Sequence, residues 1–390
     1  MSKYQIFLSA NCADSYIQIL QKTVVLRFQE LGIDADAIAF FDDSTISSRD
    51  RKSPTVGAFL STKTNPSSRA SVTEFVRDGF MVVPVVENLG NFNDFVPDEL
   101  RGINGMQFRH DDPSMERVAA VLLEGLNLIR KSRRLFISYR RAETRGVAIQ
   151  LYEALDSNGF DVFLDTLSIR PGEQFQEVLW HRLADTDVIV LLDSPGFLSS
   201  RWTTEELATA NSTNIQILQL IWPGNQLEAT AAFSRAVPLQ ESDFQATPLR
   251  SDTRLKDAVA QKMIVEAESL RARALAARYT SLVEEFCVEA RQFGLTPHVQ
   301  PERFITVELK SGQFVAAVPT VGIPDAFRYQ EIEDEINKHP KKHTDVVLLY
   351  DERGIREKWL EHLTWLDRHK LRVRSMQVTQ CSSWLRGLAK

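Results

Sequence analysis

The 390-residue chain exceeds what one ordinary core accommodates, since domains run to roughly 100–200 residues, and two or three domains are expected. Hydrophobic residues make up 43% and charged residues 25%, which excludes a disordered or fibrous protein. The net charge of −6 gives no global attraction to polyphosphate, and with no strong basic patch before the C-terminus, nucleic acid is not an expected partner. Cys12, Cys287 and Cys381 stand far apart, with neither a paired framework nor a CxxC spacing, so no disulfide or metal site is expected and the cytoplasm is the natural compartment. The N-terminus enters a strand-like run directly, without the basic segment and apolar stretch of a secretory signal. No apolar run approaches the roughly 20 residues that a bilayer requires, so no membrane partner is expected.

In chain order, IFLSAN (6–11) reads as a strand and is followed by a helix-spaced run that stops at Gly32; FMVVPVV (80–86) reads as another strand. LFISY (135–139) opens a second series. A helix-spaced run over Val147–Leu155 stops at Gly159, then come the strand FDVFLD (160–165), a loop with Pro171 and Gly172, and a helix over about 173–184. The strand DVIVLLD (187–193), Pro195 and Gly196, a helix near 203–211 and the strand IQILQLIW (215–222) complete it. Strands alternating with helices, and strands apolar along their whole length, predict a parallel sheet covered on both faces.

The two series resemble each other. IFLSAN matches LFISYR, Ser67-Ser68-Arg69-Ala70 with Glu74-Phe75 matches Ser199-Ser200-Arg201-Trp202 with Glu206-Leu207, and FMVVPVV matches IQILQLIW. Phe7 to Glu74 is 67 positions and Phe136 to Glu206 is 70, so the register is nearly kept and a duplicated unit is inferred. Residues 253–293, rich in Ala, Leu, Glu and Arg without Gly or Pro, predict one long helix or two abutting ones. Beyond it, RFITVEL-KSG-QFVAAVP (303–319) predicts a hairpin turning at Gly312, and DVVLLYD (345–351) and LRVRSMQV (371–378) predict strands around a helix containing Trp359, Leu363 and Trp365.

The ordered set FISYRR (136–141), VFLD with IRPGEQF (162–175) and VLLDSPGFLSSRWTTEEL (190–207) resembles a TIR (Toll/interleukin-1 receptor) domain. The resemblance covers about 90 residues directly and the first 130 more faintly. It implies an α/β fold of two flavodoxin-like parallel-sheet domains in tandem, a degenerate 1–130 and a TIR domain 131–250; the pattern beyond, 251–390, reads as a long helix and a small α+β domain for sensing or assembly.

Enzymatic members of the family resemble this chain in carrying W-x-x-x-E, here Trp202 to Glu206, an i,i+4 spacing that places both side chains on one helical face. The resemblance implies NAD as substrate, not a bound cofactor, with Glu206 as the catalytic carboxylate. Nicotinamide in NAD is already a cationic leaving group, so a carboxylate ionised at neutral pH suffices to stabilise the oxocarbenium-like ribose. Tyr139, Arg140 and Arg141 lie at a strand end, where open α/β sheets bind ligands, and are implied to hold base or ribose and pyrophosphate; Asp165 and the 166–173 loop fall at the next strand end. The family further implies assembly into homo-oligomers or filaments, a role as an anti-phage immune effector, and an activating ligand or protein acting on the C-terminal domain. Water or the adenine ring as nucleophile leaves hydrolysis and cyclisation both open.

Bland alternatives stand beside each assignment. Trp202 fits a core aromatic, Glu205 and Glu206 a solvated first-turn pair favoured by the helix dipole, and Arg140 and Arg141 surface charge. His181 reads as structural, and Glu74 of the first copy, with Ala70 for the tryptophan and SANC for SYRR, as a capping or solvated residue in a dead site. A non-catalytic TIR scaffold and a nucleoside N-glycosidic transferase are the competing functions; the Glu206–Trp202 pair argues against the first and the strand-end arginines against the second.

Overall fold

The computed structural model describes residues 3–108, 115–164, 175–197, 215–225, 235–369 and 372–389, with backbone alone at 175–178. By density of internal contacts the chain forms two compact units, Met1–Lys131 and Ser132–Lys390.

In the first unit, β1 (Tyr4–Asn11), α1 (Asp14–Glu30), β2 (Ile38–Phe41), β3 (Thr55–Ser61), α2 (Ala70–Arg77), β4 (Val82–Val86), the single turn α3 (Phe92–Phe95), β5 (Met106–Gln107) and α4 (Glu116–Gly125) follow in order. All strand pairs are parallel and the order is β2-β1-β3-β4-β5. Phe7 and Phe59 pack with Val72 and Phe75 of α2, while Arg27 of α1 pairs with Glu116 of α4 at 3.1 Å.

The second unit begins with β6 (Arg134–Ser138), α5 (Arg141–Ser157), β7 (Asp161–Leu164), α6 (Phe175–Ala184), β8 (Val188–Asp193), β9 (Gln216–Ile221) and β10 (Arg235–Pro238). Its parallel sheet has the order β7-β6-β8-β9-β10, strand for strand that of the first unit, and this 2-1-3-4-5 order is the flavodoxin-like one. Alternation along each strand divides the side chains between two cores. Leu135, Ile137, Val188, Val190, Leu218 and Leu220 face α5 and the long helix; Phe136, Ile189, Leu191 and Ile217 face Leu179 and Leu183 of α6. Helix α5 starts at Arg141, six residues before its apolar face, with a kink at Thr144, so hydrophobic spacing alone predicted its buried part and missed its polar first turn. The expected helix near 203–211 lies outside the described residues.

The predicted long helix is a single one, α7 (Asp257–Gln292). Its first half, through Ala260, Met263, Ile264, Ala267 and Leu270, enters the core of the TIR-like sheet, and its second half, through Leu282, Phe286 and Ala290, enters the core of a third sheet. Two buried ion pairs fasten it. Arg271 Nε meets Asp187 Oδ2 at 3.1 Å with side chains 1% and 0% exposed, and Arg133 meets Glu268 at 2.6 Å.

The third sheet, β11 (Pro297–Val299), β12 (Ile305–Glu308), β13 (Phe314–Pro319), β14 (His343–Tyr350) and β15 (Val373–Gln377), runs in chain order. Its first three strands are antiparallel and its last three parallel. The hairpin turns as predicted, with Gly312 at φ +78. Helices α8 (Ala326–Lys338) and α9 (Glu357–Asp367) cover one face, and α7 and α10 (Cys381–Leu388) the other. The short β11 and the helices α8 and α10 escaped the sequence reading.

Helix α6 ends against this third sheet. Arg278 of α7 donates to Ala184 O at 2.6 Å and Thr186 O at 3.0 Å, capping its C-terminus. Asp185 Oδ1 accepts Ile323 N–H at 3.1 Å, and His181 Nδ1 accepts Arg356 N–H at 3.4 Å with its ring 5.6 Å from that of Trp359. Burial, reinforced by the charges of Arg356, Arg182 and Arg134, lowers the His181 pKa to about 4. Gly354 passes so close to α6 that an added Cβ would stand 3.3 Å from Trp180 O, at φ +77.

Two expectations follow. Arg271→Met strands the Asp187 charge in the core and should cost about 3–5 kcal/mol in denaturant unfolding, with Arg271→Met/Asp187→Leu recovering much of it. Equal losses in the single and double variants would show that the pair is not what fastens the helix. Because the folded-state pKa of His181 is depressed, the unfolded chain takes up the proton first, near pH ~6.5, and stability falls as pH drops from there toward the folded value. Urea midpoints should therefore fall less steeply between about pH 7 and about pH 5 in His181→Gln than in the wild type.

Candidate active site

The C-terminal ends of β6, β7, β8 and β9 form one edge of the sheet, where the chain turns from strand to helix and where doubly wound sheets bind ligands. Three sequence-predicted residues lie there in the described structure. Tyr139 is only 5% exposed and packs in the core with Leu135, Val147 and Leu192, so in this conformation its ring is part of the sheet's support. Arg140 is the residue preceding α5 and Arg141 its exposed first residue. Trp202, Glu206, Asp165 and the 166–173 loop lie outside the described residues; Asp165 directly follows the last residue of β7.

Arg140 pairs with Glu143, its Nη1 donating to Oε1 at 2.5 Å. Glu143 Oε2 accepts the Gly196 N–H at 3.1 Å, from the loop that leaves β8. Burial pushes the Glu143 carboxyl up, but the neighbouring Ser194 hydroxyl, the Gly196 N–H and the Arg140 charge and hydrogen bond outweigh it and hold it below its ordinary value. Arg140 lies directly across Gly196: a Cβ there would meet the Arg140 guanidinium and Glu143 Oε1, so these two side-chain ends would have to move aside for any larger residue. Next to it, Phe197 is buried in the core below.

On the other side of that loop Asp193, 1% exposed at the end of β8, accepts Gln219 Nε2 at 2.8 Å and Asn225 Nδ2 at 2.9 Å. Its carbonyl accepts the Trp222 N–H at 2.9 Å, joining the ends of β8 and β9. Glu143, Asp193 and Asn225 were missed by sequence reasoning. The i,i+3 spacing of Arg140 and Glu143 was a usable signal for the first; nothing local marks Asp193 or Asn225, because their partnership crosses between strands.

The same edge of the first unit is occupied by its own side chains. Phe7 pairs with Phe41 as Phe136 pairs with Phe163, which sets Asp43 in the place of Asp165 and Asn11 in that of Arg140. Asp43 accepts the hydroxyls of Ser9 at 2.9 Å and Ser71 at 2.5 Å and pairs with Arg69, whose Nη2 donates to Ala10 O at 2.6 Å. Glu74, matched in sequence with Glu206, does not cap its helix; part-exposed, it accepts Arg51 at 3.0 Å and Arg49 at 3.4 Å.

The packing at Gly196 gives a direct test of this geometry. Gly196→Ala should push the Arg140 end aside and break its contact with Glu143 at a cost of about 1 kcal/mol, and Gly196→Ala/Arg140→Ala should lose less than the sum of its single substitutions. Strict additivity would mean that Arg140 does not lie across the glycine.

Comparison with known proteins places this architecture. A family profile described as the TIR domain matches residues 135–261. A probable 2' cyclic ADP-D-ribose synthase from Brachypodium distachyon is 32% identical over 88 residues, 22% of this chain and 39% of that protein. A 2' cyclic ADP-D-ribose synthase from Bacteroides thetaiotaomicron is 29% identical over 72 residues, 18% of this chain and 25% of that one. The chain thus spans well under half the length of either relative. A solved structure, a putative two-component system response regulator/GGDEF domain protein, superposes with a TM-score of 0.31 at 11% identity over 69% of this chain and 98% of that one, too remote to carry an argument. The sheet order, the strand-end motifs and the family match agree: across residues 135–261 this chain carries a TIR domain.

Proposed function

We propose that the chain cleaves the nicotinamide–ribose bond of NAD, with Glu206 as the carboxylate that stabilises the ribose cation. The observation that carries this reading is the match of 135–261 to the TIR family together with relatives named as synthases of a cyclic ADP-ribose. NAD is ADP-ribose bonded to nicotinamide, so a product of that kind forms from NAD when the C–N bond breaks, its electron pair leaves with nicotinamide and neutralises the ring cation, and an oxygen or nitrogen nucleophile closes on the ribose carbon with loss of one proton to solvent. With water as nucleophile the product is open ADP-ribose and the released proton passes to solvent.

In this reading Trp202 walls the pocket beside Glu206, Arg140 and Arg141 bind the pyrophosphate, Tyr139 underpins the strand end that presents them, and Asp165, next in sequence after β7, contributes to substrate binding. The first unit, its strand-end edge filled by the Asp43–Arg69 pair, serves as a scaffold. An enzyme that destroys a central cofactor must be held in check, so the proposal includes activation by self-association in the cytoplasm, with residues 294–390 receiving the signal, as in an effector of antiviral defence.

The test is release of nicotinamide from NAD by the full chain, followed chromatographically from dilute to concentrated protein alongside light scattering. Glu206→Gln should lower turnover by a factor on the order of 10²–10³ with an unchanged circular dichroism spectrum, Glu205→Ala should cost far less, and wild-type specific activity should rise as the protein associates. Wild-type turnover in Glu206→Gln would remove the carboxylate from its role. Constant specific activity in a protein that stays monomeric would end the association model.

A further inference from the structure

One carboxylate at the sheet edge gathers donors from two different strand ends. Glu143 sits in the first turn of α5, just after β6, and takes the guanidinium of Arg140 on one oxygen and the main-chain N–H of Gly196, from the loop after β8, on the other. That N–H is not free to wander, because Phe197 beside it is 2% exposed among Phe136, Leu179, Leu183 and Ile215. Beyond its kink at Thr144, helix α5 is fixed by Gly146 N–H donating to Ser251 O at 2.7 Å and by Gln150 exchanging two hydrogen bonds with the backbone of Leu255 at 2.8 and 2.9 Å; before the kink, the N–H groups of Glu143 and Thr144 both donate to Arg140 O, at 2.9 and 3.0 Å. Glu143 is therefore a strut between two rigid supports, and Arg140, with a side chain 37% exposed, is the one flexible group attached to it.

We propose that Glu143 is the positioning residue of the nucleotide site, holding Arg140 across Gly196 so that the exposed part of its guanidinium is already aimed at the substrate's pyrophosphate. This rests on reading the domain as an NAD-cleaving enzyme. An unrestrained arginine carries rotamer entropy that binding must remove; a guanidinium fixed beforehand gives up less of it for each hydrogen bond it makes.

The same contacts admit an opposite function, in which Glu143 is an internal anion that fills the pyrophosphate's place and must be displaced. The geometry favours the strut, because displacement would strip a hydrogen bond from a main-chain N–H fixed beside a core phenylalanine. The two differ in sign. Removing a strut weakens anion binding, and removing a competitor strengthens it.

Calorimetric binding of ADP-ribose, with inorganic pyrophosphate as the minimal probe, to the full-length wild type, Arg140→Ala, Glu143→Ala and the double variant decides between them. A strut predicts about tenfold weaker ADP-ribose binding in each single variant and no further loss in the double beyond Arg140→Ala alone. Where NAD turnover is measured, KM should rise by a similar factor with kcat little changed. Tighter binding in Glu143→Ala, or additive losses in the double variant, would overturn the proposal. Glu143→Gln, which keeps an acceptor for Gly196 N–H, guards against loss of folding and should fall between wild type and Glu143→Ala.

The side-chain ¹⁵N resonances of Arg140 give a readout independent of any nucleotide: slowed guanidinium rotation in the wild type that is lost in Glu143→Ala. Should that signal change as expected while Arg140→Ala leaves ADP-ribose binding untouched, the strut stands and the assignment of Arg140 to NAD fails. Should rotation be the same with and without Glu143, the strut itself is refuted.

Discussion

The arrangement of the second unit depends on where its buried charges are spent. Asp187 and Arg133 immediately precede β8 and β6, at the N-terminal edge of the parallel sheet, and both are consumed by residues of α7, Arg271 and Glu268. Arg271 adds a bond to Ser132 O, and Asp187 accepts the N–H of Arg134. Ionised groups in such a place are tolerated only when paired, so the helix has one register and one direction in which it can lie against the sheet. Stability is thereby concentrated at one edge of the sheet, and the opposite edge is left to Arg140, Glu143, Asp193 and the loops that follow them.

Because α7 is one uninterrupted helix, fixing its first half also fixes the third sheet that wraps its second half. Contact between that sheet and the TIR domain then falls on the end of α6, through Arg278, Asp185, His181 and Gly354. Helix α6 is the element that begins just after the 165–174 segment, so the C-terminal sheet holds the far end of the helix that the segment leads into. Residues 294–390 thus meet the TIR domain at the C-terminal end of α6.

Much of the architecture was legible in the sequence because parallel strands buried on both faces leave a strong signature. LFIS, VFL and VIVLLD each became strands near their predicted positions, and Gly159 and Gly312 terminated or turned the chain where expected. The duplication could be seen in matched motifs, and the identical strand order supports it. What failed to show is equally physical. The polar first turn of α5 has no hydrophobic period, and it carries Glu143. Strand β11 has three residues, too few for alternation to register. Glu74 looked like a solvated or capping residue because its partners, Arg49 and Arg51, lie in a distant loop. Of the candidate site, the family motifs located the sheet edge and its arginines; the strut between two strand ends could be found only in three dimensions.

The continuous α7 has a bearing on modularity. The family match ends at residue 261, yet Met263, Ile264, Ala267, Leu270 and Arg271 all contribute to burying the same sheet. A TIR fragment cut at its sequence-defined border would expose this apolar stripe and leave Asp187 without its counterion. The TIR domain is therefore no bead on a string: its last structural element is also the first of the neighbouring core, and exchanging the C-terminal sheet without unpacking the TIR sheet requires the helix to be kept through Arg271. Shared ownership of one helix makes the two sheets a single structural unit.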